Sequence, residues 1–425
     1  MKKKQKGQKK QQSHVHHYVP QWYQRRFLLS GQTNFFYLDL HPETITWPGG
    51  SHTLKAMRPR GPTACFCQDD LYTLRFGRQT TDEMERLFFG MIDAKSQRAV
   101  EHFAEYGGIA EGTSSAFDSL TPYMGAQRFR TPRALDLIKK RLGAPRHNAA
   151  LAMLHDVFQK HTTMWAEGVW EIVRAKQSPT KFLVTDDPVT FYCKHVFPSE
   201  WPYPNEISLR QTGTRTIFSL GMDSCLIITH LQLVRNPWSS PVEPRTNARD
   251  FDTVMKFMGA IQFGRDLDED EVLRINYICK RRASRYVAAA EEEWLYPERR
   301  VSTTDWAKLD DDWFLFPNLW RVGFTTGIAA GGGKGRPYAA DEYGFKPWQP
   351  EYQDKARHDR DWVTFERAKR EWAVKRLGRS RAQTDEHMGR DVGDKIMDDF
   401  LREQGLLYGP MERPYDWKES TEVER

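Results

Sequence analysis

The sequence predicts an α+β fold, a helical layer packed on a mainly antiparallel sheet, with an accessory, mostly helical C-terminal region. Three observations carry this. Short β-prone runs bounded by turn residues gather in two places, residues 34–76 and 165–230. Between them, apolar residues recur at three- and four-residue spacing, the period of a helix. Beyond about residue 297 the composition changes to scattered tryptophans and dense charge. Strands grouped apart from helices, instead of alternating with them, separate this class from a parallel α/β sheet. The 425 residues divide into a basic flexible tail (1–12), an α+β domain (13–296) and the accessory region (297–425).

Taken in order, Asn34–Leu40 reads as a strand, and Thr44–Trp47 as its partner before the Pro48-Gly49-Gly50 break. Asp70–Phe76 alternates again. From Thr81-Asp82 the period changes, and Met84, Leu87, Phe88, Met91 and Ile92 fall on one helical face. Further helices are expected over Ala116–Gln127, Ala134–Leu142 and Asn148–His161, with Pro132 at or inside the third of the four. Trp165–Val173, Lys181–Thr185, Thr216–Leu220 and Ser224–His230 read as the second strand group, the last apolar enough to be central. Thr246-Asn247 caps a helix towards Ile261, and Glu269–Ala290 reads as helix-rich, closing the core at Trp294.

Hydrophobic residues make up 39% and charged residues 28%, and no apolar run approaches the ~20 residues of a membrane span. No apolar segment follows the basic start, so a secretory signal is not read there and a cytoplasmic home is expected. Cys65, Cys67, Cys193, Cys225 and Cys279 are odd in number and irregular in spacing, which fits reduced thiols better than a disulfide framework or zinc ribbon. A net charge of +6 is mild, but residues 1–26 hold six lysines, two arginines and no acid. That block is either a solvated tail or an arm for nucleic acid. The sequence leaves the oligomeric state open.

The chemistry-bearing stretch is His14–Phe27, with three histidines, four aromatics and two arginines in fourteen residues. A solvated tail is poor in aromatics, so this density points to docking on a folded body. His16 is a candidate ligand for a divalent metal ion, the one cofactor the sequence raises, and Arg25 and Arg26 are candidate substrate contacts for phosphate or carboxylate. Elsewhere, Ile328–Gly335 lacks the first glycine and the hydroxyl of a phosphate-binding loop. His155 and His161 are six apart, so a helix sets them on different faces.

Four motifs carry a family resemblance. His17-Tyr-Val-Pro-Gln-Trp-Tyr-x-Arg-Arg-Phe27, Gln127-x-x-Arg130-Thr131-Pro132, Phe182-Leu-Val-Thr-Asp-Asp-Pro188 and Ile217-Phe-Ser-Leu220 resemble, in order and approximate spacing, those of the bacterial domain-of-unknown-function 4238 family. The likeness covers about residues 13–296. Gln24, Asp187 and Ser219 depart from its usual leucine, asparagine and proline. The resemblance supplies positions and no reaction.

Those positions define the candidate catalytic set His17, Gln127, Arg130 and Asp186. An unpaired arginine or aspartate is costly to bury, so the set must meet itself or a ligand. One reading is a nuclease-like hydrolase acting on phosphodiesters, with His17 as base or metal ligand, Asp186 its partner, Arg130 the phosphate clamp and Gln127 orienting. A second is a non-catalytic module binding nucleic acid or protein, in stress or phage defence. A third is a clasp in which Arg130 pairs with Asp186 and Gln127 holds the N-terminal backbone.

Overall fold

The computed structural model describes residues 14–76, 79–81, 84–141, 143, 146–199, 207–245, 261–323, 328–331, 337–341, 345 and 347–377. The basic start, the helix expected from Ala248, most of the glycine-rich loop and the chain beyond 377 lie outside them. The architecture is α+β with antiparallel sheets, as the two strand groups and the helical stretch between them imply.

The N-terminal half opens with β1 (Val15–His17), α1 (Gln21–Gln24), β2 (Phe35–Asp39), β3 (Thr44–Trp47), β4 (Gly50–Thr53), β5 (Met57–Arg60), β6 (Cys67–Asp69), β7 (Leu74–Phe76) and β8 (Gln79–Thr81). The strand at Thr44–Trp47 forms as expected but pairs with β4, not with β2. A two-residue turn makes its nearest partner the next residues in the chain, and the side chains of both strands stay exposed. β2 pairs instead with β5 and with a strand near residue 286.

The helical layer follows: a π-helical turn over Met84–Phe89, then α2 (Gly90–Ala104), α3 (Thr113–Phe129), α4 (Pro132–Arg141) and α5 (His147–Ala166). Pro132 sits at the first position of α4, where its missing N–H costs no hydrogen bond. Trp165, expected in a strand, ends α5, where it is fully buried and its indole N–H donates to Thr216 Oγ1 at 2.9 Å.

The central sheet is built from β9 (Val169–Arg174), β11 (Val189–Tyr192), β12 (Arg215–Gly221), β13 (Ser224–Thr229) and β14 (Gln262–Asp266), while β10 (Val184–Thr185) joins the other sheet. The order is β11-β12-β13-β9-β14, antiparallel except for the β14–β9 pair. Every residue of β12 and β13 is buried, in keeping with the apolar centres Ile217-Phe218 and Cys225–Ile228. The short α6 (Leu231–Arg235) follows β13 directly.

Only the first part of Glu269–Ala290 is helical: α7 (Glu269–Arg282) gives way to β15 (Tyr286–Ala289), which completes the four-stranded sheet β10-β15-β2-β5. The start of α7 is fixed by a reciprocal cap. Asp268 accepts the Glu271 N–H at 2.8 Å, and Glu271 accepts the Asp268 N–H at 3.2 Å. Acids fill its first turn and Lys280, Arg281 and Arg282 its last, the polarity a helix dipole favours.

The hydrophobic core does not stop at residue 296: Trp306, Leu309, Phe314 and Leu315 belong to it. A second cluster joins Val169, Leu233 and Val234 to Phe316, Leu319 and Val322, and to Phe365 and Trp372 of the long helix α8 (Lys355–Leu377). A small hairpin, β16 (Ile328–Gly331) and β17 (Pro337–Ala340), precedes that helix. Among the described residues, no helix is long and apolar enough to cross a membrane.

Candidate functional site

The His14–Phe27 stretch is docked along its length. β1 pairs antiparallel with β6, so alternate side chains face opposite ways. His16 turns inward and is fully buried; its ring lies parallel to Tyr72, 5.4 Å between centroids, and its Nδ1 accepts the Tyr72 N–H at 2.9 Å. His14 meets Asp70 at 2.9 Å. His17, on the other face, has its Nε2 3.2 Å from the Thr63 carbonyl, so that nitrogen donates. Burial lowers the His17 pKa, against the pull of the Thr63 and Pro62 backbone.

Past Pro20, α1 and the turn after it fasten the stretch to the β12–β13 hairpin. A bulge between Ser219 and Gly221 takes carbonyls out of the sheet's regular pairing. The Tyr23 hydroxyl donates to the Ser219 carbonyl, and Arg26 Nε to the Leu220 carbonyl at 2.6 Å. The Met222 N–H returns a bond to the Arg26 carbonyl at 3.1 Å. Arg26 is therefore anchored to the hairpin, while Arg25 is exposed and donates to Gln21 Oε1 at 3.1 Å. Gln24, where the family likeness has leucine, is fully buried and donates to the carbonyls of Val19 (2.7 Å) and Cys65 (3.2 Å).

Gln127 and Arg130 form the second part. Three residues apart at the end of α3, they share a face, and Arg130 Nε donates to Gln127 Oε1 at 2.6 Å. Gln127 Nε2 donates to the Tyr123 hydroxyl at 3.0 Å. The guanidinium pairs with Asp93 of α2, Nη1 standing 3.0 Å from both carboxylate oxygens, and lies 5.7 Å and 5.6 Å from the Phe89 and Tyr123 ring centres. Burial works against its charge, but Asp93, Tyr123 and Tyr72 more than offset this and raise its pKa. The Tyr72 hydroxyl donates to the Arg130 carbonyl, and Trp22 and Tyr23 lie against Tyr123. His16 thus reaches Arg130 through Tyr72, and α1 reaches it through Tyr123.

The expected pairing of Arg130 with Asp186 does not form. Asp186 accepts three consecutive backbone N–H groups, of Ser284 (2.8 Å), Arg285 (2.6 Å) and Tyr286 (3.0 Å), and so pins the α7–β15 turn. Its neighbour Asp187 makes the link to α3, with Arg128 Nη1 at 2.7 Å and 2.5 Å from its two oxygens. The reason is helical geometry. Residues two apart are rotated by about 200°, so Arg128 and Arg130 cannot face the same partner. Gln127 holds Arg130 and Tyr123 and makes no hydrogen bond to the N-terminal backbone, a role that Gln24 fills. Arg128 also lies 4.5 Å over Phe191, next to His161, whose pKa burial and Arg128 lower to about 3.

The motifs therefore converge, but the four candidate catalytic residues do not share one centre through direct bonds. Gln127 and Arg130 meet each other; His17 and Asp186 each bind backbone elsewhere. Among the described residues, no three His, Cys, Asp or Glu side chains gather to hold a metal ion, so His16 has no such ligand set around it there. Asp93, Arg128, Tyr72 and Tyr123 complete the network and were not singled out from sequence. Asp93 was findable, because it continues the apolar stripe Phe89, Ser96, Val100, Phe103, where an acid needs a cation.

Burial pushes the Asp186 pKa up to about 6, although its three N–H donors favour the ionised form. A raised carboxyl pKa stabilises the fold below the unfolded value near 4, and this contribution is lost as pH rises through 6. The stability of the wild type minus that of Asp186→Asn should therefore fall by on the order of 3 kcal/mol between pH 4 and pH 7. Urea unfolding of both proteins at each pH measures it, and a flat or rising difference would show the carboxylate to be ionised throughout.

No family model, curated protein or solved structure matches the chain. The likeness to the domain-of-unknown-function 4238 family rests on the four quoted motifs. What stands on structure is an α+β body whose N-terminal segment is held by a buried polar and aromatic network.

Proposed function

We propose that the chain is a non-catalytic binding module that engages nucleic acid through its basic N-terminal residues, the His14–Phe27 stretch being their anchor. The observation that carries this is the anchoring itself. Tyr23 and Arg26 bond the β12–β13 hairpin and His16 stacks on Tyr72, so the six lysines just before this stretch leave a fixed point on a rigid body. Gln127, Arg130 and Asp186 are 5% exposed or less and bonded to protein groups. That arrangement favours holding over turnover, since a hydrolytic centre needs access for water and substrate. The nuclease-like reading would require these residues to leave their present partners.

The test is a titration of single-stranded DNA and RNA at several salt concentrations, with the full chain and with residues 1–10 deleted. Each lysine that neutralises a phosphate releases counterions, so removing six should lower the slope of log K against log salt by about 4. Circular dichroism should be unchanged. An equal slope in both proteins removes the arm as a nucleic-acid contact, and cleavage of the probe returns the hydrolase reading.

A further inference from the structure

The β3–β4 hairpin forms a two-stranded sheet of its own, and every residue of its strands is exposed. Its register sorts the side chains by face. Thr44 pairs with Thr53 and Thr46 with Ser51, so one face carries four hydroxyls; Thr44 Oγ1 and Thr53 Oγ1 stand 2.9 Å apart. Ile45 pairs with His52 and Trp47 with Gly50, so the other face carries an isoleucine, an imidazole and an indole. Ile45 is 51% and Trp47 52% exposed, an apolar patch set in water on one short ribbon.

The indole is held in place by two glycines. Gly49 makes the turn with φ of 105°, a conformation closed to most side chains. At Gly50 a Cβ would stand 3.2 Å from Trp47 Cζ2 and 3.4 Å from Cε2, so a side chain there would press the ring aside.

The charge at the hairpin's base indicates what this face meets. Lys55 is exposed just past β4, and Arg58 Nε donates to its carbonyl at 3.1 Å. Arg60 points to the same side of β5 as Arg58 and donates to the Ala64 carbonyl at 3.3 Å. These are bonds to backbone and cancel no charge. Among the described residues, none of the three cations pairs with a carboxylate. The nearby acids serve another arginine: Asp39, which bonds Arg285, and Glu43 both raise its pKa. Ala64 adjoins Thr63, whose carbonyl holds His17. The row Lys55, Arg58, Arg60 therefore runs from the hairpin to the stretch that the lysine arm precedes.

We propose that the β3–β4 hairpin is a stacking platform for single-stranded nucleic acid, an unpaired base packing on Trp47 while Lys55, Arg58 and Arg60 follow the backbone. Exposed aromatic rings beside a line of unpaired cations are the two elements such a strand requires. A duplex keeps its base faces stacked on one another and has none to offer. A lipid surface calls for apolar residues at the hairpin's tip, where this chain has Gly49, Gly50 and Ser51. The proposal rests on the nucleic-acid reading above and adds to it a preference for unpaired strands.

Anisotropy titrations of the full chain with labelled oligothymidylate and with a labelled duplex, at several salt concentrations, test this. Trp47→Ala should weaken single-strand binding about tenfold, the scale of one base stack, and leave duplex affinity as it was. Its salt slope should not change, since an indole neutralises no phosphate. Trp47→Phe should retain most of the binding, and Lys55→Ala with Arg58→Ala should instead lower the slope by about 1.4. With residues 1–10 deleted the tenfold effect should persist. A failure of the arm thus reads in the salt slope, and a failure of the hairpin in the Trp47 ratio. Unaltered single-strand binding by a Trp47→Ala chain with wild-type circular dichroism overturns the proposal, as does an equal loss with the duplex. Trp47-dependent binding to phosphatidylserine vesicles by a chain that ignores oligothymidylate overturns it too.

Discussion

Replacing Arg130 by alanine lowers the stability of the fold by about 3 kcal/mol or more, the largest single loss expected in the N-terminal network. The guanidinium is 1% exposed on its side chain and binds Asp93, Gln127 and two aromatic faces. Removing it leaves Asp93 without its cation and Gln127 Oε1 without its donor, in surroundings that supply no replacement. Asp93 is 22% exposed, so water recovers part of its solvation and keeps the loss at the lower end of the range for buried pairs. Urea unfolding with an unchanged m-value is the measurement. Arg130→Met combined with Asp93→Leu should regain much of the loss, because apolar residues of similar volume replace a buried pair at little cost. A loss under about 1 kcal/mol for Arg130→Ala would show that the pair holds nothing together.

Asp187→Ala carries the second large effect. Its carboxylate is 3% exposed and the Arg128 side chain 9%, so the substitution takes the paired carboxylate from a cation that stays inside the protein over the Phe191 face. A cost of about 3–5 kcal/mol is expected. A cycle with Arg128→Met should give a coupling energy of about 2 kcal/mol, since each group is the other's buried ion-pair partner. Asp187→Asn, the residue of the family likeness, should fall between, keeping an acceptor for Arg128 but losing its charge. Additive single effects would mean that the α3 end and the 186–187 turn are joined by packing alone.

The sequence carried the long periodic elements and missed the short ones for a physical reason. α2, α3 and α5 show apolar positions recurring over several turns, and β13 the apolar run Cys225–Ile228, so their patterns are redundant. Val189–Tyr192 and Tyr286–Ala289 are four residues each, too few to display a period. The Ala-rich second of these also favours helix locally, and only pairing with β2 makes it a strand. At the site, the motif convergence was legible but the partners were not. Spacing reveals that Gln127 and Arg130 share a face, whereas the identity of the acid opposite depends on how α2 lies beside α3. The same limit let Arg130 stand in for Arg128 as the partner of the 186–187 turn.

The strand order β10-β15-β2-β5 has a consequence in time. Phe35–Asp39 finds Met57–Arg60 almost at once during synthesis, but its other neighbour, Tyr286–Ala289, is about 250 residues further along the chain. At ~5–20 residues per second, a ribosome takes on the order of 10 to 50 s to deliver that strand. Throughout this interval the Phe35–Asp39 edge is an open row of peptide donors and acceptors with Phe35, Tyr37 and Leu38 uncovered. The nascent chain therefore spends about half of its synthesis with this edge open to strand addition, until residue 286 emerges.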